Sequence, residues 1–166
     1  MERNGWFVYN GNRYYANSDG HNNKGLTTIN GEKYYFSPDG AYAMKGKFTA
    51  DGKLYIADST GLIKTGWITD GADRYYADPV NANLARGKTQ IGTEWYNFNT
   101  DTGVETRGWN KLPDGYWYYF DKATGKMERN GWFLYNGYNY YANSDGHNNK
   151  GFATIDTELY YFSPDS

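Results

Sequence analysis

One pattern limits what this chain can fold into: a unit of 20 to 23 residues that begins again at Gly5, Gly25, Gly46, Gly66, Gly87, Gly108, Gly131 and Gly151, the eighth copy ending at Ser166. Each unit follows the same grammar. A glycine opens a short aromatic or β-branched run such as Trp6-Phe7-Val8-Tyr9, a turn such as Asn10-Gly11 follows, and a second run such as Arg13-Tyr14-Tyr15-Ala16 leads into a polar loop. Asn-Gly or Asp-Gly between two such runs marks a tight β-hairpin, because both residues tolerate positive φ. The signal recurs at Asn30-Gly31, Asp51-Gly52, Asp70-Gly71, Asp114-Gly115 and Asn136-Gly137. A chain repeating at this period builds a stack of like units rather than a globule with one central core.

The expected fold is therefore all-β, a β-hairpin solenoid of about eight tandem repeats, with residues 1–166 forming a single array. One hairpin alone is marginal in water, so stability must come from faces shared between neighbours. Aliphatic residues are scarce, with 19 Tyr and 6 Trp in a chain only 39% hydrophobic, so the shared faces must be aromatic. In Tyr-Tyr pairs such as Tyr14-Tyr15 and Tyr118-Tyr119, strand alternation sends the two rings to opposite faces. One ring is expected in the seam and the other outward or toward the next hairpin. A second period lies above the first: Met1 to Gly40 nearly duplicates Met127 to Ser166, an offset of six units.

The pattern Gly-Trp-x4-Gly-x2-Tyr-Tyr-x4-Gly, as in Gly5-Trp6, Gly11, Tyr14-Tyr15 and Gly20, resembles the cell-wall-binding repeat superfamily. That group includes choline-binding modules of surface proteins and lysins, glucan-binding repeats of glucansucrases, and C-terminal repeats of clostridial toxins. The segment from Gly25 to Phe36 is most similar to the glucan-binding and toxin forms. The resemblance implies ligand sites between consecutive repeats. In the choline-binding branch these are cages made of the Gly-Trp tryptophan, a Trp opening a Trp-Tyr-Tyr run, and a neighbouring Tyr or Met.

This chain keeps Trp at the first position in Trp6, Trp67, Trp109 and Trp132, and at the second only in Trp95 and Trp117. Placing Trp95 there calls for an extra residue in its preceding turn. The cages then expected to keep both tryptophans join Trp95 with Trp109 and Trp117 with Trp132. Elsewhere a residue such as Arg13, Lys33 or Arg74 stands in the wall, where it would repel choline. Aromatic rings beside polar side chains suit a neutral α-glucan or related wall polysaccharide better: Trp6 with Arg13 and Tyr15, or Trp132 with Asn139 and Tyr141. Trp67, Tyr76, Trp95, Trp109, Trp117 and Tyr119 are further ligand-binding candidates. Several shallow sites in register would gain by multivalency.

Other functions lack their residues. The net charge of −2 gives no basic stripe for nucleic acid or anionic membrane, and no apolar run approaches a span. With no cysteine, thiolate metal sites and disulfides are out of reach. Asn17-Ser18-Asp19-Gly20 lacks the glutamate that completes a calcium loop and is expected to be a polar turn. The carboxylates fall mainly in turns (Asp39, Asp51, Asp70, Asp114, Asp145), not across a cleft as a glycosidase needs. His21 and His147 are two copies of one loop position and cannot serve a triad.

The expectation is a non-catalytic module, without cofactor or metal, holding a secreted or surface protein of a Gram-positive bacterium to α-glucan or cell-wall polysaccharide. The alternatives are a choline anchor and a ligand-free spacer. Met1 is read as the start of an excised fragment without its signal peptide, and end-to-end self-association through uncapped hairpin faces is expected.

Overall fold

The structure is a computed structural model and describes residues 4–163. Met1 and the last residues of the eighth unit lie outside that range. Among the described residues every regular element is a strand, and all seventeen strands belong to hairpins or their immediate extensions. Two compact units divide the chain, Met1–Ala85 and Arg86–Ser166. The first holds hairpins 5–16, 25–36, 46–57 and 66–77, and the second holds 87–98, 108–120, 131–142 and 151–162.

Most hairpins have two five-residue strands joined by two residues, as when Gly5–Tyr9 pairs with Asn12–Ala16. Asn10 and Gly11 have φ of 47° and 74°, and Asn30-Gly31, Asp51-Gly52 and Asn136-Gly137 match them. Two consecutive left-handed residues give the turn twist that flanking strands need. One expected turn is displaced. Asp70 lies in its strand paired with Asp73, and the turn is Gly71-Ala72, with only Gly71 at positive φ. A glycine at the first turn position suffices when the second residue keeps negative φ. Asp114-Gly115 sits inside a five-residue connection, 112–116, between Gly108–Lys111 and Trp117–Phe120. The spacing anomaly therefore belongs to Trp117. Trp95 follows an ordinary two-residue turn, Gly92-Thr93, and needs no extra residue.

Alternation gives each hairpin two working faces. In hairpin 5–16 one face carries Trp6, Val8, Arg13 and Tyr15, and the other carries Phe7 and Tyr14. The first kind of face packs on the second kind of the next hairpin. Trp6 meets Tyr34 at 4.7 Å between centroids, Tyr35 meets Tyr55 at 6.1 Å, and Trp109 meets Tyr140 at 5.0 Å. In the interior both rings of a Tyr-Tyr pair are consumed this way, one against each neighbour. Tyr34 and Tyr35 are 4% and 3% exposed, Tyr118 and Tyr119 0% and 6%. The outward-facing alternative does not occur there.

The loops also connect units. After hairpin 25–36 the chain returns so that Ala43 bridges Phe36 and donates its N–H to the Arg13 carbonyl of the preceding hairpin at 2.8 Å. Ile63 does the same to Lys33 at 2.9 Å, Leu84 to Leu54 at 2.8 Å, Met127 to Trp95 at 2.8 Å and Asn148 to Trp117 at 3.2 Å. Ala43, Ile63, Leu84 and Met127 are buried, so each loop contributes an apolar plug together with a backbone tie. Asn17 accepts the Asp19 and His21 N–H groups on its side-chain oxygen, at 3.0 and 2.9 Å, which makes that loop a polar turn.

The last hairpin breaks the turn rule. Asp156-Thr157 occupies the position of Asn-Gly with φ of 49° and 74°, placing a β-branched residue in the left-handed region. Thr157→Gly should raise the denaturation midpoint of the Arg86–Ser166 unit, with a gain of about 1 kcal/mol. Urea unfolding followed by near-ultraviolet circular dichroism would show it.

Candidate functional site between hairpins

Counting from the opening glycine, the residue one place on and the residue eight places on (nine in hairpin 108–120, whose turn is longer) share a face of the same hairpin. In hairpin 5–16 these are Trp6 and Arg13, diagonal neighbours in the register Trp6↔Tyr15 and Val8↔Arg13. The next hairpin then supplies the first tyrosine of its Tyr-Tyr pair. The ring pocket at a junction thus takes two residues from one hairpin and one from the following.

That rule re-sorts the tryptophans. No ring contact joins Trp95 to Trp109 or Trp117 to Trp132 among the described residues. Trp109 and Trp117 instead share one face of hairpin 108–120, opposite Tyr119 and Lys111 in the register. Trp109 packs against Tyr119 at 5.1 Å, and against Tyr140 and Phe133 of the next hairpin at 5.0 and 6.0 Å. Trp117 is 40% exposed at the rim. Trp109, Trp117 and Tyr140 are the one complete two-tryptophan set within the described units.

The remaining site candidates fall into the same frame. Trp6 touches Tyr15 at 5.3 Å and Tyr34 at 4.7 Å, with the Arg13 guanidinium 3.7 Å above its ring. In hairpin 66–77, Trp67 touches Tyr76 at 5.2 Å, and Arg74 lies 3.7 Å above the indole. Trp132 touches Tyr141 at 5.3 Å and Tyr160 at 4.9 Å. A cleft of about 470 Å³ opens beside Trp132, lined in part by Asn139, Tyr160 and Tyr161. Trp95 packs beside the buried cluster of Tyr118, Phe120 and Met127.

Two kinds of residue escape reading by motif alone. The partners from the next hairpin (Tyr34, Tyr140, Tyr160) are marked by alternation, since the first tyrosine of each pair must face backward. Lys47 and Lys88, where other units have Trp, send their ammonium groups to the corresponding tyrosines of their own next hairpins, Tyr75 and Tyr118. Lys88 Nζ lies 4.4 Å from the Tyr118 centroid and 5.7 Å from that of Trp95. Lys47 Nζ lies 5.1 Å from the Tyr75 centroid. His147 stacks on Tyr116 at 4.0 Å, so this loop histidine is engaged in packing.

The ring hydroxyls are tied to carboxylates. Tyr118 donates to Asp114 at 2.6 Å, Tyr34 to Glu32 at 2.8 Å and Tyr35 to Asp51 at 3.2 Å. Burial, then these acceptors, hold all three phenols above the ordinary tyrosine range, Tyr118 the furthest; burial raises Tyr55 and Tyr119 as well. The Tyr118 hydrogen bond in turn holds the Asp114 carboxyl low. No group of three or more His, Cys, Asp or Glu side chains is placed to hold a metal among the described residues.

Comparisons with known proteins meet this geometry. A choline-binding repeat model matches residues 85–132, and a model described as a putative cell wall binding repeat matches 4–21, 24–42 and 130–147. No curated protein sequence matches significantly. Among solved structures, CbpJ from Streptococcus pneumoniae superposes with a TM-score of 0.83 at 28% identity over 95% of this chain and 56% of its own. Choline binding protein F of the same species gives 0.81 at 30% identity, over 95% and 55%. The modular autolysin LytC of that species shares the fold, at 0.62 and 23% identity over 98% and 38%. This chain spans little more than half the length of the first two. The frame is that of a repeat module which binds rather than catalyses, and the chain belongs to the cell-wall-binding repeat superfamily.

The raised tyrosines carry a sign. Above about pH 10 the unfolded chain ionises its phenols while the folded chain keeps them neutral, so stability is present below that pH and lost as pH climbs past it. In a spectrophotometric titration at the phenolate band, a class of tyrosines should lag the exposed ones and ionise only with unfolding. Tyr118→Phe should remove one member of that class.

Proposed function

We propose that the module holds a surface or secreted protein of a Gram-positive bacterium to choline-bearing wall polymer, and that hairpin 108–120 is its principal reader. The observation that carries this is the set Trp109, Trp117 and Tyr140: two indoles on one face and a phenol ring 5.0 Å from the first. A desolvated quaternary ammonium is drawn to such ring faces by their quadrupoles, and no lysine or arginine stands over these three among the cation–ring contacts. The choline-binding repeat match across 85–132 supports the same hairpin. This reverses the sequence-based preference for α-glucan. That preference drew on the Arg and Lys residues that stand in most cage walls, whereas hairpin 108–120 carries two tryptophans on one face.

A neutral-sugar reading retains one supporting observation. The cleft at Trp132 presents an exposed indole beside the Asn139 amide, which suits a pyranose face and its hydroxyls.

Tryptophan fluorescence should change saturably with free choline in the millimolar range, corresponding to about 4 kcal/mol of binding. Trp117→Ala, at an exposed position, should weaken that response about tenfold through loss of one ring face worth ~1.4 kcal/mol. A flat response in the parent chain would overturn the choline reading, and dextran would then test the Trp132 cleft.

A further inference from the structure

Several ring faces at the junctions already carry a cation. The Arg13 guanidinium lies 3.7 Å above Trp6 and donates to the Thr60 carbonyl at 2.8 Å. Lys47 donates to the Tyr75 hydroxyl at 3.3 Å, and Lys88 to the Tyr118 hydroxyl at 3.2 Å. The two lysine junctions are built alike. Each tyrosine in turn donates a hydrogen bond to a carboxylate, Tyr75 to Asp73 at 3.2 Å and Tyr118 to Asp114 at 2.6 Å. The ammonium, the phenol and a compensating carboxylate form one short chain in both places.

The near-duplicated hairpins supply an internal comparison. Trp6 meets Tyr15, Tyr34 and Phe36 at 5.3, 4.7 and 5.8 Å. Trp132 meets Tyr141, Tyr160 and Phe162 at 5.3, 4.9 and 5.7 Å. The ring frame is the same, but Asn139 stands where the first copy has Arg13. The copy with asparagine, at the last described hairpin, has an open cleft beside exposed Tyr160 and Tyr161; in the copy with arginine Tyr34 and Tyr35 are buried and the guanidinium lies on the indole.

We propose that Arg13, Lys47 and Lys88 are intramolecular ligands: each takes the place of a quaternary ammonium on its junction's rings and so closes that junction to choline. This deepens the choline reading, on which it rests. A second cation brought beside the first would meet like-charge repulsion. The resident one is tethered, so it loses no translational freedom on docking and outcompetes a weak ligand from solution. Selectivity is then set by which junctions the chain leaves vacant. Among the described residues no cation stands over Trp109, Trp117 or Trp132 themselves; the nearest at the Trp109 junction is Lys122, 5.2 Å from the Tyr135 ring that packs on Trp109 at 6.0 Å.

The test is a calorimetric choline titration of the full chain and two variants. R13N reproduces the residue found in the second copy. K88W places an indole beside Trp95 and Tyr118, the same ring set as at Trp109, Trp117 and Tyr140. Each variant should bind one more choline per chain than the parent, with unchanged near-ultraviolet dichroism showing intact packing. In the parent, the Arg13 and Lys88 side-chain methylenes should show upfield ring-current shifts that choline does not move. Unchanged stoichiometry in both folded variants, or loss of those shifts on adding choline, would overturn the inference. A parent that binds no choline, beside variants that each bind one, would instead overturn the choline reading and leave this inference standing.

Discussion

Everything in this protein depends on one contact: the aromatic face of a hairpin laid on the opposite face of the next. A two-stranded hairpin cannot bury both of its faces by itself, so it becomes stable only as a member of a stack. The buried groups show it. Tyr35 of one hairpin, Phe48, Tyr55 and Ala57 of the next, and Ala82 from a later loop form a single cluster. Because rings approach edge-on and offset rather than in flat sandwiches, they leave concave faces at the rim. The interaction that holds the stack together therefore also makes its pockets.

The backbone ties between units explain why those pockets are regular. Five loops return to donate an N–H to the carbonyl of the residue eight places after the opening glycine in the preceding hairpin, or nine at Trp117, where the turn is longer. That residue, Arg13 or Lys33 or Trp95 or Trp117, has its main chain fixed by the stack while its side chain is free to vary. A position whose backbone is held and whose side chain lines a ring pocket is well placed to set selectivity. Tryptophan there extends the cage, and arginine fills it. A cation over an indole face contributes roughly 0.5 to 2 kcal/mol depending on exposure. A resident cation thus adds modestly to cohesion while it closes a site.

Much of the fold was legible because its signals are local. The period, the Asn-Gly and Asp-Gly turns and the alternating runs located all eight hairpins, and the displaced turn at Gly71-Ala72 differs by one residue only. The Asp156-Thr157 turn was invisible to that reading, since nothing intrinsic to threonine favours a left-handed backbone; the hairpin register imposes it. The site was only half legible. The ring-bearing positions stand out in the sequence, but pairing the tryptophans across neighbouring hairpins, Trp95 with Trp109 and Trp117 with Trp132, does not match the faces they take. Grouping depends on which of two faces a residue takes and on which face meets which neighbour.

The sequence by itself determined the all-β repeat, the tight turns and the aromatic seam, because hairpin formation and alternation act over a few bonded residues. Only the tertiary structure decided that Trp109 and Trp117 share a face with Tyr140 laid against it, and that Lys88 and Arg13 sit on rings rather than in water. Those outcomes depend on the direction and register of stacking between hairpins. No local propensity encodes that stacking; it is fixed when whole faces are buried together and the loops tie each hairpin to the one before.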